Sequence, residues 1–135
     1  MDDLSKINKV KSTFKKYVSK NIVDKLLENE NSLNLGGEES EITILFSDIR
    51  GFTSMSEKLS PKQIVKLLNK YFQSMIDVVF KFNGTLDKIV GDELMVLYGV
   101  PLKNENDTEN AVKTAIEMFK SLDKFNSKIV KDGFE

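Results

Sequence analysis

The chain has 135 residues, 40% of them hydrophobic and 30% charged, with a formal net charge of -1. That suits one small globular domain and offers no global field to attract nucleic acid. With neither Cys nor His, disulfides, thiolate metal sites, most zinc chemistry and the commonest general base are excluded, so any catalysis must use carboxylates, lysines, Arg50, hydroxyls or a hard metal. No apolar run approaches the roughly 20 residues needed to span a membrane. The charged N-terminus does not read as a signal peptide, so a cytoplasmic setting is the expectation.

Residues 1–30 carry no turn signal and read as helix, with Phe14, Tyr17, Val18, Ile22, Leu26 and Leu27 at helical spacing. Leu4, Ile7, Phe14 and Val18 also fit a short heptad that Lys11 interrupts, so packing on the chain's own domain competes with a short coiled coil. Six lysines against two acids in the first 20 residues also suit a membrane surface, although solvated helix faces are the plainer reading. Asn29 to Glu41 is polar, contains Gly36-Gly37 and reads as a linker.

Ile42 to Asp48 is a β-branched, apolar run of the length of a buried strand. Pro61 to about Asn83 is a helix: Ser60 caps it, Pro61 suits its first position, Gln63 completes a capping box and Asn83-Gly84 stops it. Ile64, Leu67, Leu68, Tyr71, Phe72, Met75 and Val79 form its buried stripe. Thr85 to Val90 and Leu94 to Tyr98 read as strands joined in a hairpin through Gly91-Asp92. A last helix follows, opened by an Asn106–Glu109 capping box, with Ala111, Val112, Ala115, Ile116, Phe119 and Leu122 on one side.

The order helix, then β-α-β-β-α, predicts an α+β fold: a ferredoxin-like split β-α-β-β-α palm unit preceded by an N-terminal helix and lacking its last strand. In that order the first and third strands are antiparallel neighbours. Asp48, ending the first, therefore converges with Asp92, opening the third. Two such carboxylates repel, and a divalent cation resolves the repulsion; taken singly, Asp48 also reads as a turn residue and Asp92 as a routine hairpin residue. The final strand of this architecture would lie beside the first, so Ile42 to Ser47 is expected to be an open edge prone to pairing between chains. Gly51-Phe52-Thr53-Ser54 suits a phosphate cradle at a helix start, or no more than a common glycine before a helix. Alternation places Lys88 on the face of Leu86 and Val90, either as an edge-strand gatekeeper or as a donor to a base or phosphate.

Leu35-Gly-Gly-Glu38, Ile42 to Thr53 (ITILFSDIRGFT) and Thr85 to Asp92 (TLDKIVGD) closely resemble the class III adenylate/guanylate cyclases. Phe14 to Ser19 (FKKYVS) resembles the segment leading into bacterial members. The likeness runs roughly from Phe14 to Leu122 and divides the chain into an N-terminal helix and linker (1–34) and the first part of a cyclase catalytic domain (35–135). It implies that Asp48 and Asp92, with the Ile49 carbonyl, bind two Mg²⁺ or Mn²⁺ ions. Gly51, Phe52 and Thr53 would contact phosphates. Lys88 falls where the family reads adenine and where guanylate cyclases carry Glu, which implies ATP. The resemblance also implies a homodimer with sites shared between subunits, and it accommodates an upstream regulatory or membrane domain. Glu93 departs from the family, which usually has a small or apolar residue there. The family's second base reader and its Asn-x-x-x-Arg pair would lie past Glu135, so little turnover is expected of these residues alone. A silent metal-nucleotide-binding or dimerisation module is the alternative. A diguanylate-cyclase-like palm enzyme is a weaker one, disfavoured by Lys88 and the missing Gly-Gly-Asp-Glu-Phe motif.

Overall fold

The structure is a computed structural model that describes residues 3–14, 24, 37 and 39–131. Its elements are α1 (Asp3–Phe14), β1 (Thr43–Ser47), α2 (Phe52–Lys58), α3 (Pro61–Lys81), β2 (Thr85–Val90), β3 (Glu93–Tyr98) and α4 (Asp107–Lys131). The apolar stripe expected from Tyr17 to Leu27 lies outside the described residues. No described helix is long and apolar enough to cross a membrane.

The strands form an antiparallel sheet in the order β1-β3-β2, as expected of a split βαβ unit without its last strand. Thr43 pairs with Tyr98 and Ser47 with Leu94, so the end of β1 meets the start of β3. Helices α3 and α4 cover one face. Leu94, Val96 and Tyr98 are inaccessible there, against Leu67, Met75, Val79 and Phe125, and the Tyr71 and Phe125 rings meet edge to face at 5.8 Å.

Local sequence accounts for α3. Ser60 Oγ accepts from the Gln63 amide at 3.3 Å, and the Gln63 side-chain oxygen accepts from the Ser60 amide at 2.9 Å. Its stop is shared between two residues. Asn83 takes the left-handed conformation (φ 61°), whereas Gly84 is needed for space: a Cβ there would stand 2.7 Å from Val79 Cγ1 and 2.9 Å from the Tyr98 hydroxyl. Burial pushes that hydroxyl up to about 12, so it stays protonated and donates to Thr114 Oγ1, which donates to the Asn110 carbonyl. The Asn106–Glu109 capping box does not form. Asp107 Oδ2 accepts from the Asn104 amide at 2.9 Å, and Glu109 pairs instead with Lys113 one turn on.

The reading of β1 as a buried strand needs correction. Thr43, Leu45 and Ser47 face the helices, while Ile44 and Phe46 lie on the opposite, open face, 46% and 61% exposed. Both faces read as apolar in sequence, but helices cover only one.

Candidate functional site

Asp48 follows the last residue of β1, in the position that continues the Ile44–Phe46 side of the strand. It therefore closes the open face of the sheet and is exposed. Asp92 sits in the two-residue turn between β2 and β3, where Gly91 supplies the left-handed step (φ 61°). The two acids converge through strand order, as expected. Asp92 Oδ2 accepts a 3.0 Å hydrogen bond from the Ile49 amide, tying the hairpin turn to the chain just past β1. That clamp has no signature in the sequence.

The Asp48 carboxyl is held above its ordinary value, chiefly by a hydrogen bond with the Asp92 carboxyl, then by partial desolvation and the Asp92 charge, with Glu93 adding a smaller push. The Ile49 amide works in the opposite direction. Paired acids in this condition repel each other once both are ionised, a repulsion that a proton or a cation can relieve. Among the described residues no group of three or more acidic side chains gathers as a metal cage, so Glu93 acts on the pair as a nearby charge. Two carboxylates with open space beside them fit a hard cation that keeps waters or phosphate oxygens as its other ligands.

Gly51 begins α2 in the left-handed conformation (φ 74°), where an added Cβ would meet no atom within 4 Å. The helix it starts has only seven residues. The Phe52 amide donates to the Ile49 carbonyl at 3.3 Å, so that donor and that acceptor already serve each other. Phe52 is half-buried, and Thr53 is exposed on the first turn.

Lys88 is not on the face of Leu86. The β2–β3 register shifts between Leu86, opposite Val96, and Lys88, opposite Met95, which makes Asp87 a bulge. Lys88 therefore shares the open face with Met95 and Phe46, one row from the Glu93 and Asp48 end of the sheet. The available signal was the three-residue spacing of Leu86 and Ile89, which both pair with helix-side positions of β3 and so break strict alternation. Ser47 adds a contact that sequence reasoning missed: its hydroxyl lies 3.5 Å from that of Tyr71 on α3, immediately before Asp48.

Residues 37–134 match the family model of the adenylate and guanylate cyclase catalytic domain. Adenylate cyclase 1 of Rhizobium meliloti is 32% identical over 115 residues, which cover 85% of this chain and 17% of that protein. Among solved structures, the guanylyl cyclase Cya2 superposes with a TM-score of 0.72 at 42% identity, covering 75% of this chain and 51% of the other. The adenylyl cyclase CyaB from P. aeruginosa superposes with a TM-score of 0.67 at 38% identity, covering 70% and 49%. The chain thus spans about half of these solved chains and under a fifth of the Rhizobium protein.

Proposed function

The chain belongs to the adenylate and guanylate cyclase catalytic domain family, and from that premise we propose that it forms the metal- and base-binding part of an adenylate cyclase site. The observation that carries this reading is the convergence of Asp48 and Asp92, braced by the Ile49 amide, on the same open face as Lys88.

In this proposal Asp48, Asp92 and the Ile49 carbonyl hold two Mg²⁺ or Mn²⁺ ions. When bound, the ions supply positive charge that lowers the pKa of the ribose 3′-hydroxyl and offsets charge on the triphosphate. The reaction forms a bond from that oxygen to the α-phosphorus and breaks the bond to pyrophosphate, giving cyclic AMP. Gly51 permits close approach of backbone at the start of α2, and Thr53 offers an amide and a hydroxyl to phosphate oxygens. Phe52 is a hydrophobic plug that fixes this turn.

Lys88 would donate to the unprotonated N1 of adenine and repel the N1–H of guanine. This residue supports ATP, because likeness alone does not separate the bases: Cya2 is a guanylyl cyclase and CyaB an adenylyl cyclase. A dimer with shared sites, an N-terminal helix and linker over 1–34 and a catalytic portion over 35–135 complete the proposal.

The test is titration of the chain with Mn²⁺–ATP and Mn²⁺–GTP, together with cyclic AMP formation, against Asp48→Ala. Binding that prefers ATP and is lost in the variant supports the reading. Nucleotide binding indifferent to Asp48 refutes it. Little turnover by these residues alone is expected under either reading, whereas robust turnover lost in Asp48→Ala rules out the silent-module alternative.

A further inference from the structure

β3 is the central strand of the sheet, paired with β1 on one side and β2 on the other, so bonds on both flanks set the facing of its side chains. Ser47 pairs with Leu94, and one step further along that antiparallel register Glu93 falls opposite Asp48. Cross-strand neighbours share a face, which puts Glu93 on the open face beside Asp48. It is half-buried and makes no ion pair among the described residues. Its charge reaches Asp48, whose carboxyl it helps to hold above the ordinary value. Nothing in the packing calls for an acid here. Like charges opposed across two strands destabilise a sheet, and Val90, the β2 partner of Glu93, brings no compensating charge. A half-buried, unpaired carboxylate also costs more than a neutral side chain of the same shape.

We propose that Glu93 is an affinity-determining residue of the cation site. It stays outside the coordination shell and strengthens the hold of Asp48 and Asp92 on a divalent ion by charge alone. This inference rests on the metal reading of that pair. Among the described residues no three acids gather as a metal cage, which keeps Glu93 off the ion, whereas Coulomb attraction extends well beyond one cross-strand spacing. A unit charge roughly 7 Å from a divalent ion changes its affinity about three- to tenfold at low ionic strength, and added salt screens most of that effect. The contribution matters most before a nucleotide arrives, when no phosphate oxygens help to hold the ion.

Mn²⁺ dissociation constants of the whole chain, measured without nucleotide from the electron paramagnetic resonance of the free ion, test this. At low salt Glu93→Gln should bind Mn²⁺ about three- to tenfold more weakly than the parent, and concentrated salt should shrink the difference below about twofold. Glu93→Asp keeps the charge and should bind within about twofold of the parent. Without metal, Glu93→Gln should melt at or above the parent, because its repulsion toward Asp48 is gone. A parent that binds no Mn²⁺ overturns the metal reading and this inference together. A parent that binds, with equal affinity in Glu93→Gln, overturns the inference alone. So does a loss that salt leaves undiminished, which would make Glu93 a ligand. A loss that Glu93→Asp shares in full, or a Gln variant that melts well below the parent, overturns it as a structural defect.

Discussion

Replacing Asp92 by Asn and by Ala separates its two duties, bracing the chain after β1 and bearing charge for a cation. Asn keeps an oxygen that can accept the 3.0 Å bond from the Ile49 amide, whereas Ala leaves that half-buried donor without it. A hydrogen bond of this kind contributes about 1 kcal/mol net. For a folded unit of this size that corresponds to roughly 4–8 °C in Tm, so in the absence of metal the Ala variant should melt about that far below the Asn variant. The Asn variant should melt at or above the parent at neutral pH, because the carboxylate that repels Asp48 is gone. Mn²⁺ at about ten times its dissociation constant should stabilise the parent by roughly 1.4 kcal/mol, or about 6–11 °C, and should shift neither variant. Differential scanning fluorimetry with and without Mn²⁺ reads all of these values. A full Mn²⁺ shift in Asp92→Asn would refute the metal role, and equal destabilisation by Asn and Ala would refute the bracing role.

Three further outcomes are expected. Lys88→Glu should invert the preference between Mn²⁺–ATP and Mn²⁺–GTP in competition binding while leaving the melting temperature unchanged; retained ATP preference would show that Lys88 does not read the base. Gly84→Ala forces a methyl to 2.7 Å from Val79 Cγ1 and against the Tyr98 hydroxyl; overpacking of this kind costs about 1–3 kcal/mol, so thermal melts should fall by roughly 8–16 °C for a mid-range cost, and a loss below a couple of degrees would mean that this corner of the core yields. The raised Asp48 carboxyl makes the metal-free protein lose stability as pH rises: the contribution is complete below the ordinary value of 3.8 and disappears as pH climbs through the higher folded value. Asp48→Asn should therefore match the parent in acid and exceed it at neutral pH, and a difference that shrinks as pH rises would reverse the assigned sign.

Much of this architecture was legible before folding was considered. Ser60, Pro61 and Gln63 determine the start of α3 because a capping box closes within three residues. The Gly91-Asp92 turn joins β2 to β3, since a two-residue hairpin loop depends on the conformational freedom of its own residues. The convergence of Asp48 and Asp92 followed from strand order alone. The Asn106–Glu109 box failed even though its residues were suitable: Glu109 pairs with Lys113 one turn on, and Asp107 instead accepts from the Asn104 amide.

What only the tertiary structure decided concerns faces and clamps. The run from Ile42 to Phe46 is apolar on both sides, so no periodicity could say that α3 and α4 would cover Leu45 and leave Phe46 open. The bulge at Asp87, which carries Lys88 to the face of Asp48, exists only through pairing with β3: Leu86 must stay in the core opposite Val96 while a buried lysine would be costly. The bond from the Ile49 amide to Asp92 joins residues 43 positions apart. A cation and a base at that place were what the family resemblance implied. Sequence alone determined that Asp48 and Asp92 meet, because caps, turns and strand order are local or combinatorial. The tertiary structure decided which way they face, because a strand acquires an inside only when something packs against it.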